Sequence, residues 1–90
     1  PLDGNAQYYL SEILVNKSRV YLRWGDRMDE VFDMLFEARK HAPYRSDVHK
    51  VLGDCYFEVG DVESAKVSYC EHIRLGGTDI LARERIELEN

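Results

Sequence analysis

Two cysteines and three histidines are the residues of this chain whose chemistry reaches furthest, as metal ligands or as a thiolate nucleophile with its base. Cys70 and His72 stand two apart. On a helix of 3.6 residues per turn their side chains diverge by about 200°, so the two do not share one ion. A thiol nucleophile needs an adjacent base that lowers its pKa, and neither Cys55 nor Cys70 has a histidine at a spacing that supplies one. His49 completes no ligand set with either of them. His41 follows Lys40 at a helix end, where a cation suits the negative pole of the helix. Asp26, Asp29, Glu30 and Asp33 read as the solvated start of a helix. No phosphate-binding glycine loop or metalloprotease motif is present. Catalysis is not expected, and no catalytic residue, metal ligand or cofactor is assigned.

Composition narrows the partner classes. Twelve basic residues against seventeen acidic ones leave a net charge of −5 in ninety residues. Phosphate backbones are repelled on average, so nucleic acid is not expected as a partner. No apolar run approaches the ~20 residues that a bilayer-spanning helix needs, so no membrane partner is expected either. Two cysteines are too few for a disulfide framework, which suits a reducing compartment, the cytosol or the nucleus. No signal peptide is visible, and Pro1-Leu2-Asp3-Gly4 carries no initiator methionine and is left out of the fold reasoning. Asn16-Lys17-Ser18 matches a glycosylation sequon but falls inside a predicted helix.

The elements that would position any site are helices. Apolar residues recur at three and four, strand alternation is absent, and β-branched residues sit on helical stripes. The first helix is expected from Asn5 to Trp24, with Leu10, Ile13, Leu14, Lys17 and Tyr21 as its seam. The second, Arg27 to His41, presents Val31, Leu35 and Ala38 and stops before Pro43. The third opens at Ser46-Asp47, read as a cap followed by an acid in the positive first turn, and runs to Val59. The fourth covers Val62 to Leu75 and ends at Gly76-Gly77. Thr78 is expected to cap a last helix from Asp79 to about Glu89.

Leu52 to Leu75 is the most telling stretch. Leu52-Gly53-x-x-Tyr56 puts a leucine, a backbone-close glycine and a tyrosine on one helix face. Gly60-Asp61 supplies a tight turn, and Ala65 and Tyr69, four apart, return a small and a large side chain to the same seam. This pattern resembles the tetratricopeptide repeat family, whose period is about 34 residues. From Ser46 to Asp79 the family's residue types stand at Leu52, Gly53, Tyr56, Gly60, Ala65 and Tyr69. The chain departs at His49, where the family has a bulky aromatic, at His72, where it has alanine, and at Gly77, where it has proline. A degenerate copy lies upstream. Tyr21 and Gly25-Asp26 echo Tyr56 and Gly60-Asp61 at a separation of 35, whereas Ala38 and Pro43 fit a separation of 34. One residue inserted near Arg27-Met28 reconciles the two registers. Val31 and Leu35 then answer Ala65 and Tyr69, and Ser18 answers Gly53.

The resemblance implies an all-α domain over residues 1–90 built of antiparallel helix–turn–helix repeats. A degenerate repeat spans 5–45, a clear one 46–79, and a capping helix or truncated third repeat 80–90. Cys55 stands where the family has alanine, which implies a small buried thiol. The family's function implies a protein–protein interaction module, with a peptide or helix of a partner lying on the concave face. By register that face offers Glu12, Val15, Arg19, Leu22 and Arg23 from the first repeat and Asp47, Lys50, Asp54, Phe57 and Glu58 from the second. The residues assigned to partner binding are Val15, Arg19, Leu22, Arg23, Lys50, Asp54 and Phe57. Lys50 matches a lysine that some members use to hold a terminal carboxylate, but Asp54 replaces their asparagine and would repel that group.

Two repeats make a thin stack against a backbone entropy cost on the order of 1–2 kcal/mol per residue. The chain is therefore expected to belong to a larger array or to complete its core with a second copy. Its first helix is more apolar than one seam can bury. An assembly or dimerisation unit without a peptide groove is the alternative function, and a metal or redox sensor built on Cys55 and Cys70 is a third.

Overall fold

A computed structural model describes residues 4–25 and 27–89. Five helices follow one another: α1 (Gly4–Trp24), α2 (Met28–His41), α3 (Ser46–Glu58), α4 (Val62–Arg74) and α5 (Ile80–Ile86). The protein is all-α, with no strand among the described residues. Each helix packs on the next, α1 with α2 and α3 with α4 most extensively, and α1 also touches α3. Two helix–turn–helix pairs and a terminal helix thus lie side by side in a slab of 42 × 29 × 17 Å.

The two turns explain the change of period. Gly25 and Gly60 both adopt positive φ, 73° and 87°, which glycine reaches without a steric penalty. One residue separates Gly60 from α4, and two separate Gly25 from α2. The extra residue is absorbed at Arg27, which sits in the left-handed region at φ 54°. Asp26 lies outside the described residues. Asp61 caps α4 by accepting from Ser64 N at 3.1 Å. At the last helix the cap is Asp79, accepting from Ala82 N at 2.9 Å, in place of the expected Thr78. Ser46 likewise is the first residue of α3 and does not cap it; the cap position belongs to Arg45.

The main core gathers Val15, Val31, Leu35, Ala38, Val48, Val51, Leu52 and Cys55, and a smaller one gathers Ala65, Tyr69 and Ala82. The expected seam of α1 is corrected. Its fully buried stripe is Ser11, Val15 and Ser18, and Ile13 faces solvent. Leu14 and Tyr21 only flank the core. At Ser11 the small side chain lets the α2 backbone approach where a leucine would hold it off. Both hydroxyls are satisfied, Ser11 Oγ donating to Ala38 O at 3.2 Å and Ser18 Oγ to Leu14 O at 2.8 Å. Burial of Ser11 therefore leaves no orphaned polar group to oppose it.

In the second pair the seam lies where the sequence puts it. A Cβ on Gly53 would meet the ring of fully buried Tyr69 at 2.5–2.9 Å, so α3 and α4 touch at a point that admits no side chain. Arg45 fastens the front of the slab. Its guanidinium binds Asp47 through Nε at 3.0 Å and Nη2 at 2.6 Å, donates to Tyr8 O at 3.2 Å and lies 4.4 Å over the Tyr8 ring.

Candidate functional site

A cleft of about 410 Å3 opens between α1, the start of α3 and the α4–α5 connection. Arg19 contributes from α1, Ser46, Asp47 and Lys50 from α3, and His72 with Gly76, Gly77, Thr78 and Asp79 from the far wall. Arg19 is exposed, and no ion pair engages it among the described residues. Lys50 is half-buried and pairs with Asp54 at 2.7 Å, four residues along the same helix. Asp47 is already committed to Arg45. The cleft therefore presents one free guanidinium beside a lysine whose charge is partly answered from behind.

The far wall is built by the two departures at His72 and Gly77. His72 is buried, and its Nδ1–H donates to Ser46 O at 2.8 Å while its Nε2 accepts from Asp79 N at 3.3 Å. One ring thus ties the end of α4 to the first residue of α3 and to the cap of α5. The ring also stands where a Gly77 side chain would begin, so the glycine is the complement of the histidine. His49 is accommodated in a similar way, its Nε2 bonded to Pro43 O at 2.8 Å.

Of the seven residues assigned to partner binding, the cleft unites Arg19 and Lys50. Arg23 is exposed one turn further along α1, outside the lining, and Leu22 is half-buried against the main core. Val15 is corrected: it is fully buried between α1 and its neighbours and meets no ligand. The cause is the rotated register of α1, whose serines take the inner positions. Asp54 is engaged three times, by Lys50, by Tyr69 Oη at 2.6 Å and by Arg85 Nη1 at 3.3 Å. Phe57 is half-buried and covered by Arg85, whose guanidinium carbon lies 3.9 Å from the ring centroid.

Arg85 is the residue that the sequence reading missed. From α5 it also donates to Tyr69 Oη at 2.8 Å, so Asp54, Tyr69 and Arg85 form a closed set. Burial pushes the Tyr69 hydroxyl up, and its bond to the Asp54 carboxylate pushes it further. Both ion-pair partners are well shielded, where a bond to a charge counts for more than at an open surface. The signal in the sequence was the arginine itself, standing among Ile80, Leu81 and Ile86 on a short terminal helix.

The thiols are separate from the cleft. Burial pushes Cys55 up to about 12, with Asp54 and Glu58 adding to it, so its reactive form is suppressed. Cys70 is exposed beside Ile73, in a shallow pocket that Arg83, Ile86 and Glu87 of the chain's end complete. Among the described residues no three His, Cys, Asp or Glu side chains converge as a metal would require. No described helix is long and apolar enough to cross a membrane. No protein-family model matches the chain, and no curated protein or solved structure gives a significant match.

Proposed function

We propose that this chain is a protein-interaction module of tetratricopeptide type, whose cleft holds an acidic side chain on a segment of a partner protein. The observation that carries the reading is the free guanidinium of Arg19 across from Lys50 in an open polar cleft. A planar fork of donors is suited to a carboxylate, and a neighbouring ammonium adds to the attraction. Asp54 and Phe57 support the cleft by holding α5 in place and are not themselves recognition residues. The buried, suppressed Cys55 thiol favours a binding role over a catalytic one. Two free thiols favour a reducing compartment, the cytosol or nucleus.

Selection of displayed random peptides on the immobilised domain tests this reading. Acidic peptides are expected to be enriched, and Arg19→Glu is expected to abolish that enrichment while leaving the melting temperature unchanged. Absence of acidic enrichment, or enrichment that Arg19→Glu leaves intact, would overturn it. The assembly reading has its own support in the exposed apolar side of α1.

A further inference from the structure

Among the described residues an apolar face is left uncovered at each end of the slab. On α1, Tyr9, Ile13, Val20 and Trp24 are 61, 62, 51 and 72% exposed. At 100° per residue, these four and Asn16 fall within one sector of about 80°, so they form a single stripe along the helix. At the opposite end, Ile80, Leu81 and Leu88 are exposed on and beyond α5, where Ala82 and Ile86 face inward to Tyr69. Apolar patches of this kind are rare on chains that remain alone.

Charge separates the two ends. The α1 stripe is flanked by Lys17 and Arg23, with Glu12 as the one acid of that helix. The α5 end carries Glu84, Glu87 and Glu89 around its apolar residues. Its bases are Arg83, Arg85 and, from α4, Lys66; Arg85 is turned inward onto Asp54 and Lys66 is bonded to Leu88 O. Two α1 faces brought together would set bases against bases. An α1 face brought onto an α5 face sets bases against acids and apolar side chains against apolar side chains. The helix α2 is also acidic, but its outer side offers little apolar surface beyond Phe36.

We infer that copies of this chain stack end to end, with the α1 stripe of one seated on the α5 face of the next. Such a contact joins two different surfaces, so it propagates into a ring or an open array and does not stop at a two-fold dimer. The occupant of each face is thus a second copy of the same chain. This inference does not depend on what the cleft binds.

Two blocking variants test it by sedimentation velocity. Val20→Glu blocks the α1 face, and Ile80→Arg blocks the α5 face. Both sites are exposed, and thermal melts check that each variant folds. If Val20→Glu melts early, Tyr9→Glu at the other end of the stripe replaces it. The wild-type chain is expected to grow past a dimer as concentration rises and to lose the larger species at high salt. Each variant alone is expected to remain monomeric. An equimolar mixture is expected to form one heterodimer and nothing larger, because only one good face of each kind remains. Self-association of Ile80→Arg at wild-type strength would show α1 pairing with α1 and overturn the inference. A wild-type chain that stays monomeric to millimolar concentration overturns it, as does a mixture that forms no heterodimer.

Discussion

Gly53→Ala should destabilise the protein, although alanine is the better helix former. In an open helix interior the replacement is worth about 1 kcal/mol in favour of alanine. Here the new methyl carbon would stand 2.5, 2.6 and 2.9 Å from three ring carbons of Tyr69. The ring cannot swing away cheaply, because it is fully buried and its hydroxyl is held by Asp54 and Arg85. Overpacking a filled core costs about 1–3 kcal/mol. Any ring displacement that releases the bond to the charged Asp54 adds about 1.5–3 kcal/mol. The clash outweighs the propensity gain, for a net loss of about 2 kcal/mol. In a chain of this size that lowers the melting temperature by roughly 8–16 °C. Circular dichroism melts of Gly53→Ala, Tyr69→Leu and the double variant read the effect. With leucine at 69 the ring is gone, so Gly53→Ala should then be neutral or stabilising. If Gly53→Ala raises the melting temperature in the wild-type background, or costs the same in both, Tyr69 is not what excludes a side chain at 53.

Gly77→Ala should cost about 1–3 kcal/mol by the same overpacking argument, and His72→Ala in the same chain should recover part of it; additive losses in chemical denaturation would refute the contact. Arg85→Met should remove a bond to charge worth about 1.5–3 kcal/mol and speed amide exchange in α5, with the α1–α2 pair unaffected; unchanged exchange in α5 would refute its anchoring role. Cys55 carries a pH dependence. Its folded pKa, pushed by burial to about 12, lies above the ordinary thiol value of 9.0, so the unfolded chain loses the proton first. The stability of the fold with a protonated thiol is full below pH 9 and falls as pH rises toward 12, the loss reaching about 1.4 kcal/mol by pH 10. Melts between about pH 8 and pH 10 should fall more steeply for the wild type than for Cys55→Ala, and equal slopes would refute the shift.

The second helix pair was legible because its seam is spelled in residues of extreme size. Gly53 and Tyr69 can only be a close contact, and Gly60-Asp61 can only be a turn. The inserted residue near Arg27 was legible too, from two separations that disagree by one. The face of α1 was not legible, because counting apolar residues selects Leu10 and Ile13, whereas the buried stripe contains Ser11 and Ser18. Serine is chosen there for its size and for a hydroxyl that finds a carbonyl, a role that hydropathy does not register. Val15 was misassigned for the same reason. Arg45 and Arg85 escaped notice because their partners, Tyr8 O and Asp54, are 37 and 31 residues away in the chain. Within the cleft, the α4–α5 loop read only as a terminator. Its role as a wall depends on His72 bridging to Ser46, a contact between helices that local spacing does not encode.

The fit of His72 into the space above Gly77 has a consequence for how this chain can change over generations. Any side chain at 77 collides with the ring while the histidine remains, so a variant there is penalised at its first appearance. Loss of the ring first opens the space, but it gives up the bonds to Ser46 and Asp79 before anything replaces them. The two positions thus form a ratchet, in which the order of substitution decides whether an intermediate survives. While histidine occupies position 72, position 77 is held to glycine, and a homologue carrying any other residue at 77 should carry a small one at 72.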